Sequence, residues 1–99
     1  MEYNISWEGR AQGQFNDLLA RATTAGKRAE FEYWYDEFRG GLRHPPRAAE
    51  VGRPLRLTNL PGGFERHWFC GCFHLQYVIF PDRGIVLIYH IEFTSPDWA

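Results

Sequence analysis

His67, His74 and His90, with Gln76 and Glu92, are the residues of this chain whose types and spacing could carry out chemistry. In residues 73–79, FHLQYVI, His74 and Gln76 alternate against Phe73, Leu75, Tyr77 and Ile79. Successive side chains of a strand point to opposite faces, so the polar pair leaves a half-buried strand on one side. In the segment that ends at Phe93, Leu87, Tyr89, Ile91 and Phe93 fall on one face, and His90 and Glu92 on the other. From residue 64, Phe64, Arg66, Trp68 and Cys70 oppose Glu65, His67 and Phe69. If the histidine-bearing sides coincide, His67, His74, Gln76, His90 and Glu92 share one sheet face. That outcome depends on register, and a bulge of one residue would turn side chains to the opposite face.

An imidazole gives or takes a proton near neutral pH, and a nearby arginine stabilises charge that builds up on a phosphate. Such a face could cleave RNA through its 2′-hydroxyl, with His67, His74 and His90 as catalytic candidates. Arg56, Arg66, Gln76 and Glu92 are the substrate-binding candidates, although strict alternation puts Arg66 on the apolar side. The same alternation also fits an ordinary half-exposed surface that merely tolerates histidine.

Other chemistries lack their signatures. Cys70-Gly71-Cys72 has soft ligands and nearby histidines but no second ligand pair, so no metal site is expected. Residues 60–63, LPGG, precede a strand rather than a helix and read as a turn, so no phosphate loop and no cofactor is expected. No serine has the context of a nucleophile elbow. A disulfide across Cys70 and Cys72 would be strained, which points to reduced thiols. With no apolar run of about 18 residues and no basic N-terminal region, the chain reads as cytoplasmic and without a membrane partner. A net charge of −1 gives no general attraction to nucleic acid or anionic lipid.

The elements that must position these residues follow from periodicity. The 99 residues allow one domain, residues 1–99, and 44 % hydrophobic with 17 % aromatic content is enough for its core. Tyr3, Ile5 and Trp7 alternate as in a strand that Gly9 ends. Ala11, Phe15, Leu18, Leu19 and Ala22 form a helical stripe over residues 10–24. A second helix is expected from residue 27 to about 38 or a little beyond, on Phe31, Tyr35, Phe38 and Leu42, with Gly40-Gly41 weakening its last turn. Residues 44–63 hold four of the six prolines and read as a loop, with Leu55, Leu57 and Leu60 able to form a short edge strand. Residues 64–93, broken at Cys70-Gly71-Cys72 and Pro81-Asp82-Arg83-Gly84, read as three antiparallel strands. The expected architecture is α+β: a two-helix hairpin packed on one face of an antiparallel sheet, in the order β-α-α-β-β-β. The first strand could pair with an edge or lie beside the last strand.

That order resembles the RelE/ParE superfamily of toxins from type II toxin-antitoxin systems. The resemblance is carried by residues 52–57, GRPLRL, the strand-turn-strand unit 64–77 with Gly71 at its turn, and the final strand 84–93. Its most specific piece, Phe73-His74-Leu75-Gln76-Tyr77, looks like the family's aromatic-Arg-x-x-Tyr. The resemblance implies a toxin neutralised by a cognate antitoxin and, in the ribonuclease branch, cleavage of messenger RNA on the ribosome. By position, His74 stands where that branch often has a charge-stabilising arginine, and His67 stands near a basic residue of the preceding strand. Glu65 and Phe69 occupy positions where basic residues are common. The gyrase-inhibiting branch, or a partner-binding module that acts by protein contact alone, is the alternative.

Overall fold

Glu8 accepts a hydrogen bond from the backbone N–H of Arg10, and helix α1 (Gly9–Thr24) runs from this cap. In this computed structural model, which describes residues 2–44, 53–54 and 62–94, α1 buries Ala11, Leu18 and Ala22. Its end is a Schellman turn. Gly26 adopts φ 72°, its N–H bonds Thr23 O at 3.1 Å, and Lys27 N–H bonds Ala22 O at 2.8 Å. Helix α2 (Arg28–Arg43) then buries Phe31, Phe38 and Leu42. It passes through Gly40-Gly41 and reaches Arg43, five residues past the expected Phe38. Gly41 has a physical reason to be there: a Cβ at that position would run into the indole of Trp68.

The strands are β1 (Asn4–Trp7), β2 (Arg53–Pro54), β3 (Phe64–Cys70), β4 (Phe73–Phe80) and β5 (Ile85–Phe93), in sheet order β1-β5-β4-β3-β2. The last three form the expected antiparallel meander. Strand β1 lies beside β5 and pairs with it in parallel, so the sheet is mixed rather than wholly antiparallel. The short edge strand is at Arg53–Pro54, where a proline is tolerated. Leu55, Leu57 and Leu60, and Arg56, lie outside the described residues.

Both helices cover one sheet face. Phe31 and Phe38 of α2 meet Phe73 edge-on at 4.9 and 5.2 Å, and Phe15 of α1 meets Phe31 at 5.4 Å. Leu75, Tyr77, Ile79, Val86, Ile88 and Ile91 complete that core. Strand β5 departs from simple alternation. Gln76 is opposite His90 but Tyr77 is opposite Ile88, so the register skips Tyr89. Val86 and Ile88 therefore face the helices before the bulge, and Ile91 and Phe93 after it. The expectation that Leu87 and Tyr89 share a face with Ile91 fails for this reason. His90 and Glu92 keep their expected side.

The face away from the helices is open at one end only. Val78 and Phe80 lie on it by register, yet they are 2 % and 4 % exposed. Gly63 sits against both, and a Cβ there would come 2.6 Å from Val78 and 2.9 Å from Phe80.

Candidate functional site

The register sets two rows of side chains across three strands at the open end. Phe69, His74 and Glu92 form one row, and His67, Gln76 and His90 the next. Cross-strand neighbours share a face and diagonal neighbours are within reach of long side chains. Four of the five residues singled out on this face, together with one not foreseen, form a continuous network. Glu92 Oε1 is 2.7 Å from His74 Nδ1, and His74 Nε2 is 3.2 Å from His67 Nδ1. His90 Nε2 lies 3.6 Å from the other carboxylate oxygen of Glu92. Gln76 sits between His67 and His90 and is half-buried.

One turn, and the residue that follows β5, close this end of the sheet. At the β3–β4 turn, Gly71 adopts φ 58° beneath the Trp34 indole, which leaves no room for a Cβ. Thr94, just past β5, donates from its N–H to Cys72 O at 2.9 Å and from its hydroxyl to Gly71 O at 3.2 Å. The strand carrying Glu92 is thus tied to the turn between the strands carrying His67 and His74.

The electrostatics follow from the contacts. The hydrogen bond with His74 holds the Glu92 carboxyl below the usual carboxylate range. Partial burial opposes this, and His90 adds to it. Glu92 is therefore ionised at neutral pH. Phe69 is 68 % exposed and lies flat against His74, ring centroids 4.3 Å apart and planes within 5°. His67 stacks on the His74 side at 5.4 Å.

Arg66 lies on the opposite, helix-facing side, where its guanidinium donates to the Tyr77 hydroxyl. It does not meet the histidines, as strict alternation requires. Burial pushes the Tyr77 hydroxyl up, and Arg66 partly offsets that.

Gln14 of α1 is the residue that sequence reasoning missed. Its Oε1 accepts from the N–H of Ile91 at 3.1 Å, and its Nε2 lies 3.3 Å from His90 Nδ1. The bulge and the end of β1 at Trp7 leave this stretch of β5 for α1 to satisfy. Among the described residues, no three His, Cys, Asp or Glu side chains converge as a metal centre requires.

The whole outline aligns with solved structures. An archaeal RelE-RelB complex from Pyrococcus horikoshii OT3 matches with a TM-score of 0.58 at 15 % identity, covering 97 % of this chain and 99 % of that one. The chain has the RelE fold. The isolated E. coli RelE toxin matches with a TM-score of 0.53 at 15 % identity, over 94 % of this chain and 85 % of its own. The intact E. coli RelBE toxin-antitoxin complex gives 0.52 at 14 % identity, over 94 % and 98 %. No protein-family model and no curated protein matches the sequence. Within the RelE fold, the imidazole and carboxylate network occupies the uncovered end of the sheet. Among the described residues, no helix is long and apolar enough to cross a membrane.

Proposed function

We propose that this chain is the toxin of a type II toxin-antitoxin system and that it cleaves RNA by acid–base chemistry carried by its side chains. The observation that carries this reading is the hydrogen-bonded line Glu92–His74–His67 on the open end of a RelE-fold sheet. In the proposed reaction an imidazole takes the 2′-hydroxyl proton, O2′ bonds to phosphorus, and the P–O5′ bond breaks. The products are a 2′,3′-cyclic phosphate and a 5′-hydroxyl. The exposed Phe69 offers a flat apolar ring on which an unpaired base can stack, a contact that suits single-stranded RNA. The partners under this reading are a cognate antitoxin and ribosome-bound messenger RNA, and the protein acts in the cytoplasm.

Induced expression tests it. Growth should stop when the chain is expressed alone and resume when a cognate antitoxin is expressed with it, and total RNA should be cut. His74→Ala should lower cleavage by about 10²-fold or more while the protein still folds. Intact RNA in arrested cells would refute the nuclease reading.

One observation favours a second reading, that of a module acting by protein contact on gyrase or another partner. Phe69 is a large apolar side chain that stays exposed on the uncovered end of the sheet. In that case Phe69→Ala, and not His74→Ala, would relieve the arrest, with altered DNA topology and intact RNA.

A further inference from the structure

The network has a direction, because each hydrogen bond in it fixes the next. An ionised carboxylate only accepts, so the 2.7 Å contact with Glu92 Oε1 requires His74 to carry its proton on Nδ1. In the neutral ring Nε2 is then a bare lone pair. His67 Nδ1, 3.2 Å away, must supply the proton of that contact. The neutral His67 ring is left with its lone pair on Nε2. Its side chain is exposed, and among the described residues no group hydrogen-bonds to that nitrogen.

The third histidine is fixed in the opposite sense. Gln14 Oε1 is taken by the Ile91 N–H, so its amide nitrogen faces His90 Nδ1 as a donor. His90 therefore holds its proton on Nε2, turned toward Glu92 Oε2 at 3.6 Å. The lone pair of His90 is thus taken by Gln14, and both carboxylate oxygens of Glu92 face an imidazole N–H.

We infer that Glu92 sets the tautomers of His74 and His67 so that His67 Nε2 is the proton acceptor of this site. This rests on the nuclease reading above and refines it. His67 is the catalytic base, whereas Glu92, His74, Gln14 and His90 are positioning residues. Glu92 thereby loses the substrate-binding role expected of it, and His90 loses its catalytic one. In the step, the 2′-hydroxyl proton passes to His67 Nε2 as O2′ bonds to phosphorus, and the departing O5′ takes a proton from water. The imidazolium formed on His67 donates through Nδ1 to His74, whose Nδ1–H is held by the carboxylate, so the new positive charge appears next to an anion already in place.

The arrangement has a spectroscopic signature that needs no substrate. In water a neutral histidine side chain favours the Nε2–H form, and the network imposes Nδ1–H on two rings. Long-range 1H–15N spectra of the labelled protein at about pH 8.5, roughly two units above the ordinary imidazole value, should show Nδ1–H for His67 and His74 and Nε2–H for His90. Glu92→Ala should return His67 and His74 to Nε2–H, while Glu92→Asp should restore part of the wild-type pattern. A wild-type spectrum with Nε2–H on His67, or an unchanged pattern in Glu92→Ala, overturns the inference. In cleavage assays Glu92→Ala should lower kcat about tenfold with KM little changed, and it should cost nothing further in a His67→Ala background. An additional loss in that background overturns the role given to His67. If the spectra are as expected but the wild type does not cut RNA, the nuclease reading and the base role fall together and the tautomer assignment stands.

Discussion

Cys72 lies under the core beside the β3–β4 turn, and burial pushes its thiol up to about 12 from the ordinary 9.0. Burial also raises Cys70, with Glu37 adding to the effect, and raises Tyr77. A raised acid is still protonated in the folded chain when it has ionised in the unfolded one. Its contribution is complete below about 9 and is lost as pH climbs through the window up to about 12. Urea midpoints should therefore fall between pH 9 and 10.5, and Cys72→Ala should make that fall shallower. Thiol reagents should label native Cys72 only as fast as it becomes exposed. At this scale the sequence was informative about polarity and silent about partners. The alternation of His74 and Gln76 against Leu75 and Tyr77 fixed their side, and the same alternation put Arg66 on the wrong side for the site. Gln14 was invisible, because a glutamine on an amphipathic helix looks like any solvated residue until a bulge brings an orphan N–H to it.

Helix α2 contains a natural experiment in its adjacent glycines. Nothing lies within 4 Å of a Cβ built on Gly40, whereas one built on Gly41 overlaps the Trp68 ring. Gly40→Ala should stabilise the protein by about 0.5–1 kcal/mol through helix propensity, and Gly41→Ala should destabilise it by about 1–3 kcal/mol through overpacking. Chemical denaturation of the two variants checks the opposite signs. The pair also explains why the helix was expected to weaken there. Propensity counts two glycines as a break, but the packing of β3 against α2 uses one of them. Strand β5 fails in a comparable way: Leu87, Tyr89, Ile91 and Phe93 alternate perfectly in sequence, and only the pairing with Gln76 and Tyr77 reveals the skipped residue.

Across the whole molecule, both layers meet at one aromatic centre. Phe38 touches Trp7, Tyr35 and Phe73, and so joins β1, α2 and β4. Phe38→Ala should cost about 3–5 kcal/mol, a large part of the stability of about 5–15 kcal/mol usual for a domain, and calorimetry should find a much lower Tm. The order of elements was legible because strand and helix periods differ. The direction of β1 was not, since Tyr3, Ile5 and Trp7 alternate identically whether the strand runs with or against its neighbour. That parallel pairing sets the order of events during synthesis. Residues 4–7 are made before their hydrogen-bonding partners, residues 85–88, and the whole helical hairpin and two strands of the meander lie between them. Closing so long a loop is entropically expensive and comes late. A nascent chain therefore stays an open, unfinished sheet until β5 is translated, and the histidine array on that strand and its neighbours cannot assemble before then.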